Sequence, residues 1–199
     1  MIFINGLRVR VGNEFINGCV DNSNPLNLPQ NTIRVRTSDG YKPKKSNIPY
    51  DSATLVPGTS DVYDVYKSGN SLMFLFDDCY NLIEVLGANI KGVTYLDYMF
   101  NYCPLTTVNL FDTSTVISMG HMFNNCTSLT SVPLFNTSNV TDMSEMFINC
   151  INVKSGALAL YKQASSQASP PYHSGTFRSC GSNTQTGRTE LAQIPSDWK

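Results

Sequence analysis

The chain has 199 residues, which suits one domain or one domain with a small appendage. Hydrophobic residues make up 41% and charged residues 15%, so the chain can bury a core beneath a surface rich in Ser, Thr, Asn and Gly. The formal net charge of −1 gives no electrostatic basis for binding nucleic acid or an anionic membrane.

The N-terminal sequence MIFINGLRVRVGNEF shows no visible secretory signal. Its apolar run breaks at Asn5-Gly6 and arginines follow, whereas a signal needs a positive start and 7–15 apolar residues. No window approaches the 18 apolar residues of a membrane helix, so we expect no membrane insertion. The sequence therefore predicts synthesis without export by a signal peptide.

Residues 1–20 predict a β-hairpin arm. Apolar segments at 2–4 and 7–11 flank Asn5-Gly6, the dipeptide that a type I′ turn prefers. So short a segment cannot hold its own core, and we expect it to dock on the rest of the chain or on another chain. The candidate assembly residues are the apolar side chains of this arm: Ile2, Phe3, Ile4, Leu7, Val9 and Val11.

A linker and an N-terminal cap follow the arm. Residues 21–31, rich in Asn and Pro, are typical of a linker. Residues 32–56 are interpreted as the cap, with strands predicted at 32–38 and 53–58.

Residues 57–180 carry a repeat marked by the phrase Phe-x-x-Cys. Five of the six cysteines follow a phenylalanine at this offset, with spacings of 24, 23, 24 and 30 residues: Phe76/Cys79, Phe100/Cys103, Phe123/Cys126, Phe147/Cys150 and Phe177/Cys180. The complete repeats are 80–103, 104–126 and 127–150. Residues 57–79 form a degraded first repeat, and 151–180 a last repeat with an insertion.

Each unit predicts one strand and one short helix. Residues 129–134 have the alternation of a strand, with Leu129, Val132 and Leu134 pointing inward. Residues 140–147 place Val140, Met143, Met146 and Phe147 on one face of about two helical turns. Because one unit cannot bury its own apolar face, the units are expected to stack. The predicted fold is an α/β solenoid of about five rungs, with a 23–24-residue period and a β-rich N-terminal cap.

The C-terminal region predicts the end of the array. A helix is expected at 156–167, stopped by Pro170-Pro171. Residues 181–199 are interpreted as a C-terminal cap containing a strand at 190–195 and Trp198.

The cysteines have three readings. Zinc needs ligands gathered in pairs, and no cysteine here has another within 20 residues. A disulfide framework also fits poorly, since a column of five cannot pair completely. The interpretation we favour is that each cysteine is a small buried side chain. Cys19 lies outside the column and has no assigned role. We predict no metal and no cofactor.

The recurring phrase FDTSxVxxMxxMFxxC resembles the BspA-like leucine-rich repeats. These occur in surface proteins of gut and oral bacteria, in some protozoa and in phages of gut bacteria. The resemblance covers about residues 57–180. It implies a repeat protein used for adhesion or recognition, and it implies no enzyme activity.

The columns that the repeat leaves free are the candidate binding surface. They lie eight, five and one residue before the cysteines, and the residues selected are Tyr95, Tyr98, Tyr102, Ser118, His121, Asp142 and Glu145. Exposed tyrosines favour protein and sugar recognition. The alternative is that the three tyrosines pack against the N-terminal cap.

Two functions are compatible with these features. The first is a bacteriophage virion component, in a capsid, tail or fibre, joined to other virion proteins through the arm by strand addition and binding a host-surface protein or glycan. The second is a bacterial cell-surface or secreted adhesin of the same repeat class. An enzyme is not expected, because no catalytic motif is present. Homo-oligomer formation and ligand identity stay open.

Overall fold

The computed structural model of the protein describes residues 9–11, 14–16, 26–44 and 50–199. Strand β1 (Val9–Val11) pairs antiparallel with β2 (Glu14–Ile16). Val9 and Val11 of the predicted arm therefore lie in β1. The predicted turn at Asn5-Gly6 and Cys19 lie outside the described residues. The same is true of the other arm residues: Ile2, Phe3, Ile4 and Leu7.

A mixed five-stranded sheet follows. Its strands are β3 (Thr32–Thr37), β4 (Ser52–Leu55), β5 (Val62–Tyr66), β6 (Leu82–Asn89) and β7 (Thr107–Val108), in the order β4-β5-β3-β6-β7. All neighbours are antiparallel except β6 and β7. The alternation of β3 buries Ile33 and Val35 completely. The strand predicted at 32–38 is confirmed by β3, and that predicted at 53–58 is confirmed only as far as Leu55, where β4 ends.

The loop after β3 is anchored on the start of the repeat 80–103. The Asn81 side chain donates to Asp39 Oδ1 (2.9 Å), and its carbonyl oxygen accepts from the Lys44 backbone N–H (2.8 Å). The Lys44 ammonium pairs with Asp39 and lies 4.9 Å from the Tyr41 ring centroid and 5.5 Å from that of Tyr80. Tyr41 of the loop and Tyr80 at the start of the repeat are both exposed, and both rings lie near this one ammonium group.

Asp39 gives a testable pH dependence. Hydrogen bonds from Lys44 and then from Asn81 lower the pKa of Asp39 from 3.8 to about 2. Because the folded pKa is depressed, its contribution to stability is full above about pH 4 and is lost as the pH falls through about 2. We expect a carboxyl ¹³C titration of Asp39 with a midpoint near 2, and Lys44→Gln should raise that midpoint toward the ordinary value. A wild-type midpoint near 3.8 would show that the pair does not form.

The predicted α/β solenoid is wrong. The fold is a small mixed sheet, and residues 26–44 and 50–199 contain two short α-helices, both near the C-terminus. Residues 140–147, predicted as helical, form turns instead, and residues 129–134 contain one isolated bridge in place of a strand. Successive repeats nevertheless lie side by side, joined by parallel bridges such as Tyr95–Ser118 and Ser118–Asp142.

The backbone of the repeats explains why no helix forms there. The N–H groups seven, five, three and one residue before Cys79, Cys103, Cys126 and Cys150 donate to carbonyls of the next repeat at 2.8–3.0 Å, as in Tyr98 to Gly120 and Phe100 to Met122. The N–H groups four and two residues before each cysteine bond three residues back, as in Met99 to Leu96. Because every second backbone N–H donates to the neighbouring repeat, the hydrogen bonds from residue i to residue i−4 that define an α-helix cannot form.

A column of phenylalanines fills the core of the stack. The rings three residues before each cysteine are fully buried and nearly parallel, with centroids 5.1–6.1 Å apart: Phe76, Phe100, Phe123, Phe147 and Phe177. The predicted inward side chains of 140–147 are buried, as are Leu129 and Val132. Leu134, also predicted inward, is 47% exposed, and Phe135 takes the core position beside Phe123 instead.

The repeat cysteines are buried and free, as predicted for small core side chains. The thiols of Cys103, Cys126 and Cys150 each donate to the carbonyl of the phenylalanine in the preceding repeat, at 3.0–3.1 Å. Burial raises the pKa of these three thiols well above the ordinary value, and raises those of Cys79 and Cys180 to about 12.

We expect these five thiols to resist alkylation while the protein is folded. The thiolate is the reactive form, and burial leaves almost none of it at pH 8. Peptide mass spectrometry after iodoacetamide treatment should find the five cysteines unmodified in buffer and modified in guanidinium chloride. Rapid modification in buffer of a protein that keeps its circular dichroism would contradict this burial.

Two helices and an indole close the last repeat. Helix α1 (Ala157–Ser165) lies within the predicted 156–167 segment, which confirms that helix. The strand predicted at 190–195 is wrong, because helix α2 (Gln185–Ala192) forms there, with the Thr184 side chain accepting from Gly187 N–H at 3.0 Å. Trp198 is buried and its ring lies 6.2 Å from that of Phe177, so it ends the aromatic column.

Candidate recognition surface

The residues five before each cysteine form one row along the stack. Phe74, Tyr98, His121 and Glu145 all have φ between 52° and 59°, and each N–H bonds the next repeat. This left-handed conformation is costly for side chains other than Gly or Asn, so the surrounding hydrogen bonds must hold it. The backbone thereby fixes one outward side chain per repeat in register with the next.

The side chains of this row contact one another continuously. The Phe74 and Tyr98 rings stack at 4.8 Å, and Tyr98 and His121 at 4.3 Å. Glu145 continues the row, with Oε2 3.4 Å from His121 Nδ1 and Oε1 3.1 Å from an Arg178 guanidinium nitrogen. We call this row the ladder edge: Phe74, Tyr98, His121, Glu145 and Arg178. It is half-buried at its aromatic end and carries charge at the other.

Two of the three predicted tyrosines, Tyr95 and Tyr102, are exposed. Tyr95 is 41% and Tyr102 is 58% exposed, whereas Tyr98 is stacked within the ladder edge. The segment from Tyr95 to Tyr102 is not helical, so the spacing of three and four residues does not place the three tyrosines on one helical face. Tyr98 packs against Phe74 and His121 of neighbouring repeats, so the contact proposed with the cap is instead a contact between repeats.

The other predicted residues have unequal environments. Ser118 is 9% exposed, and its hydroxyl donates to Asp97 Oδ1 of the preceding repeat. Its side chain therefore joins two repeats and is not free to contact a ligand. Asp142 is half-buried, and its Oδ1 accepts from Ser144 N–H at 2.8 Å. His121 and Glu145 meet in the ladder edge.

The charge around Tyr98 is negative. Burial, followed by the charges of Glu145, Asp97, Asp142 and Asp77, raises the pKa of Tyr98. Carboxylates from neighbouring repeats therefore converge near one phenol group. A partner at this surface would meet an aromatic face bordered by hydrogen-bond acceptors.

Sequence reasoning missed three residues of this region. Phe74 belongs to the irregular first repeat, and extending the column five residues before the cysteine into that repeat would have found it. Arg178 stands two residues before Cys180, outside the three free columns, and no signal in the sequence indicates it. Asp97 stands in a column shared with Gly120 and Ser144, and no pattern in the sequence indicates that it is buried.

Comparison with known proteins gives one match. Residues 70–168 match a family described as "Mycoplasma protein of unknown function, DUF285". No curated protein and no solved structure matches the chain. The matched segment spans the three complete repeats and helix α1.

Membrane-spanning helices and metal-binding groups are both absent from the described part of the chain. In that part, no helix is both long and apolar enough to cross a membrane. Across the same residues, no three His, Cys, Asp or Glu side chains are grouped in a way that could hold a metal ion.

Proposed function

We propose that the protein is a non-enzymatic recognition protein of a bacteriophage virion, related to the BspA-like repeat proteins. Its ladder edge, together with Tyr95 and Tyr102, binds a protein or glycan of the host surface. The N-terminal arm joins the protein to another virion component.

The continuous ladder edge is the observation that carries this proposal. Four consecutive repeats each contribute one side chain to a single row, at the position five residues before the cysteine, and Arg178 of the last repeat extends the row through its ion pair with Glu145. Repeat proteins bind through such rows, because the scaffold stays constant while the aligned positions vary. Tyr95 and Tyr102 add exposed aromatic area, and tyrosine is enriched among residues that dominate binding energy.

The separate hairpin supports the assembly role of the arm. In the described part of the chain, β1 pairs with β2 and neither strand joins the five-stranded sheet. An isolated two-stranded hairpin is marginally stable in water, so a partner sheet would stabilise it by strand addition.

A cell-binding assay tests the recognition role. The purified full-length protein, labelled on amines, is titrated onto cells of the phage host, and saturable binding is expected. Removing two exposed tyrosines in Tyr95→Ser/Tyr102→Ser should weaken binding at least about tenfold. Tyr41→Ser removes a tyrosine that is more exposed (67%) from the loop after β3 and is the control that should bind normally.

Three results would count against the proposal. No saturable binding of the wild-type protein would remove the recognition role. Equal binding by the double variant and the control would show that Tyr95 and Tyr102 are not part of the binding surface. Finding the protein on intact bacterial cells and absent from particles would replace the virion by the second candidate, a cell-surface adhesin.

A further inference from the structure

The Nδ1 atom of His121 lies between a hydrogen-bond donor and a hydrogen-bond acceptor. The side-chain amide nitrogen of Asn124 is 3.2 Å from it, and Glu145 Oε2 of the next repeat is 3.4 Å from it. An amide N–H only donates and a carboxylate oxygen only accepts. Nδ1 must therefore be without hydrogen to bond Asn124, and it must carry hydrogen to bond Glu145.

A chain of side-chain amides fixes the direction of the Asn124 contact. Asn149 Nδ2 donates to Asn125 Oδ1 at 3.1 Å, and Asn125 Nδ2 donates in turn to Asn124 Oδ1. Because the Asn124 oxygen is used in this way, its nitrogen faces His121 as a donor. The chain thus ends on an Nδ1 atom without hydrogen, which places the single hydrogen of the neutral imidazole on Nε2.

Charged and titratable groups face His121 from the repeats on both sides. Glu145 in the next repeat contacts the ring, and its Oε1 pairs with Arg178 at 3.1 Å. The Tyr98 ring of the preceding repeat stacks on the imidazole at 4.3 Å. Burial raises the pKa of the Tyr98 phenol, and so do the carboxylates grouped around it: Glu145, Asp97, Asp142 and Asp77. A positive imidazolium here is attracted by these carboxylates and lies against an aromatic face, whereas the amide chain requires the neutral ring.

We propose that His121 is a proton-dependent switch in the ladder edge. In the neutral state, Nδ1 accepts from Asn124 and the amide chain to Asn149 is closed. When the ring takes up a proton from water, Nδ1–H donates to Glu145 Oε2, the Asn124 amide turns away and the chain opens. His121 and Glu145 are partly exposed, 24% and 33%, so water reaches both side chains. Histidine is the side chain that ordinarily titrates between about pH 5 and pH 8.

The switch makes recognition by the ladder edge depend on pH. At neutral pH, Glu145 Oε2 is available to a hydrogen-bond donor of a partner, and in the protonated state His121 occupies it. Binding is therefore expected to weaken in acid by at least about tenfold, the effect of losing one hydrogen bond to a charged group. This consequence rests on the proposed function, whereas the switch rests on the contacts of His121 alone.

Nuclear magnetic resonance of the full-length protein tests the switch without a ligand. The chain has two histidines, and His173 is the internal reference because its Nδ1 lies 2.7 Å from the Pro171 carbonyl and must carry hydrogen. In ¹⁵N-edited spectra at about pH 8, above the ordinary titration of histidine, we expect opposite tautomers. His121 should carry its hydrogen on Nε2 and His173 on Nδ1.

Lowering the pH should move the side-chain amide signals of Asn124 together with the ring signals of His121, at one midpoint. Asn101 is the matched control, since it stands in the same column of the preceding repeat and donates to Asp77 Oδ1 at 2.8 Å. Its amide signals should not follow that midpoint. Glu145→Gln removes the carboxylate, so the change in the His121 and Asn124 signals should shift to lower pH.

Binding to host cells is then measured at about pH 7.5 and about pH 5.5, on either side of ordinary histidine titration. The wild-type protein should bind at least about tenfold more weakly at the lower pH. His121→Gln cannot take up the proton and should bind equally at both values. His173→Gln is the control that should keep the wild-type difference. Circular dichroism at both values checks that each protein is folded.

The switch is overturned if His121 carries its hydrogen on Nδ1 at pH 8, or if the Asn124 signals do not follow the ring; these results hold whatever the binding shows. Equal wild-type binding at both pH values, with the expected spectra, would remove the regulation and leave the proposed function standing. Absence of binding at both values would count against the proposed function, and the spectra would still decide the switch.

Discussion

Replacing Phe123 by alanine is expected to lower the free energy of unfolding by about 3–5 kcal/mol. The ring is fully buried at the centre of the aromatic column, 5.3 Å from Phe100, 5.1 Å from Phe147 and 6.1 Å from Phe135. The alanine variant loses these contacts and leaves a cavity that neighbouring repeats cannot close, since their backbones are bonded to one another. Guanidinium unfolding monitored by circular dichroism measures the change.

Leu134→Ala is the control for Phe123→Ala. Leu134, in the next repeat, is 47% exposed, and its truncation should cost no more than about 0.5 kcal/mol. If Phe123→Ala does not fold, Phe123→Leu keeps most of the buried volume and should still be clearly less stable than the control. Equal stability of the Phe123 variants and Leu134→Ala would mean that the column is not the core.

Replacing Gly156 by alanine is the second change with a large expected effect. Gly156 has φ +98° just before α1, and a Cβ there would lie 2.3 Å from the carbonyl oxygen of Val132. Gly69 has nearly the same φ, +96°, with no atom within 4 Å of its Cβ position. Comparing alanine substitutions at Gly156 and Gly69 therefore separates the cost of the left-handed backbone from the cost of steric overlap.

We expect Gly69→Ala to cost about 1–2 kcal/mol, the price of a left-handed alanine. Gly156→Ala should cost a further ~1–3 kcal/mol for the overlap with Val132. Thermal and guanidinium unfolding of both variants measure the difference. If the two variants lose the same stability, α1 does not approach the preceding repeat as closely as described.

The sequence predicted which residues are buried better than it predicted their secondary structure. Val140, Met143, Met146 and Phe147 are buried as their spacing indicates. The same spacing also suits consecutive turns, in which every third or fourth residue points inward. Only the hydrogen bonds between repeats, such as Phe123 N–H to the Met146 carbonyl, decide against the helix, and these depend on a neighbour that a local pattern does not include.

Proline explains the error at residues 129–134. Alternation predicts that Val132 and Leu134 point the same way. Pro133 has no N–H to give to a ladder, and Phe135 N–H bonds the Pro133 carbonyl in a tight turn at 3.1 Å. The turn brings Phe135 into the core and leaves Leu134 outside.

The candidate site was predictable in part. His121 and Glu145 were selected because the repeat leaves their column free, and they do contact each other. Ser118 was selected on the same ground, yet its hydroxyl bonds the buried Asp97. Column analysis detects which positions vary, whereas the burial of a varying position depends on packing between repeats.

Mass spectrometry of purified phage particles, with cross-linking to locate the protein, tests the central proposal most directly. The account predicts that the protein is present at a constant copy number per particle and that cross-links near its N-terminus join it to another virion protein. Absence of the protein from purified particles, while it is present in the cells that produce them, would contradict the proposed function.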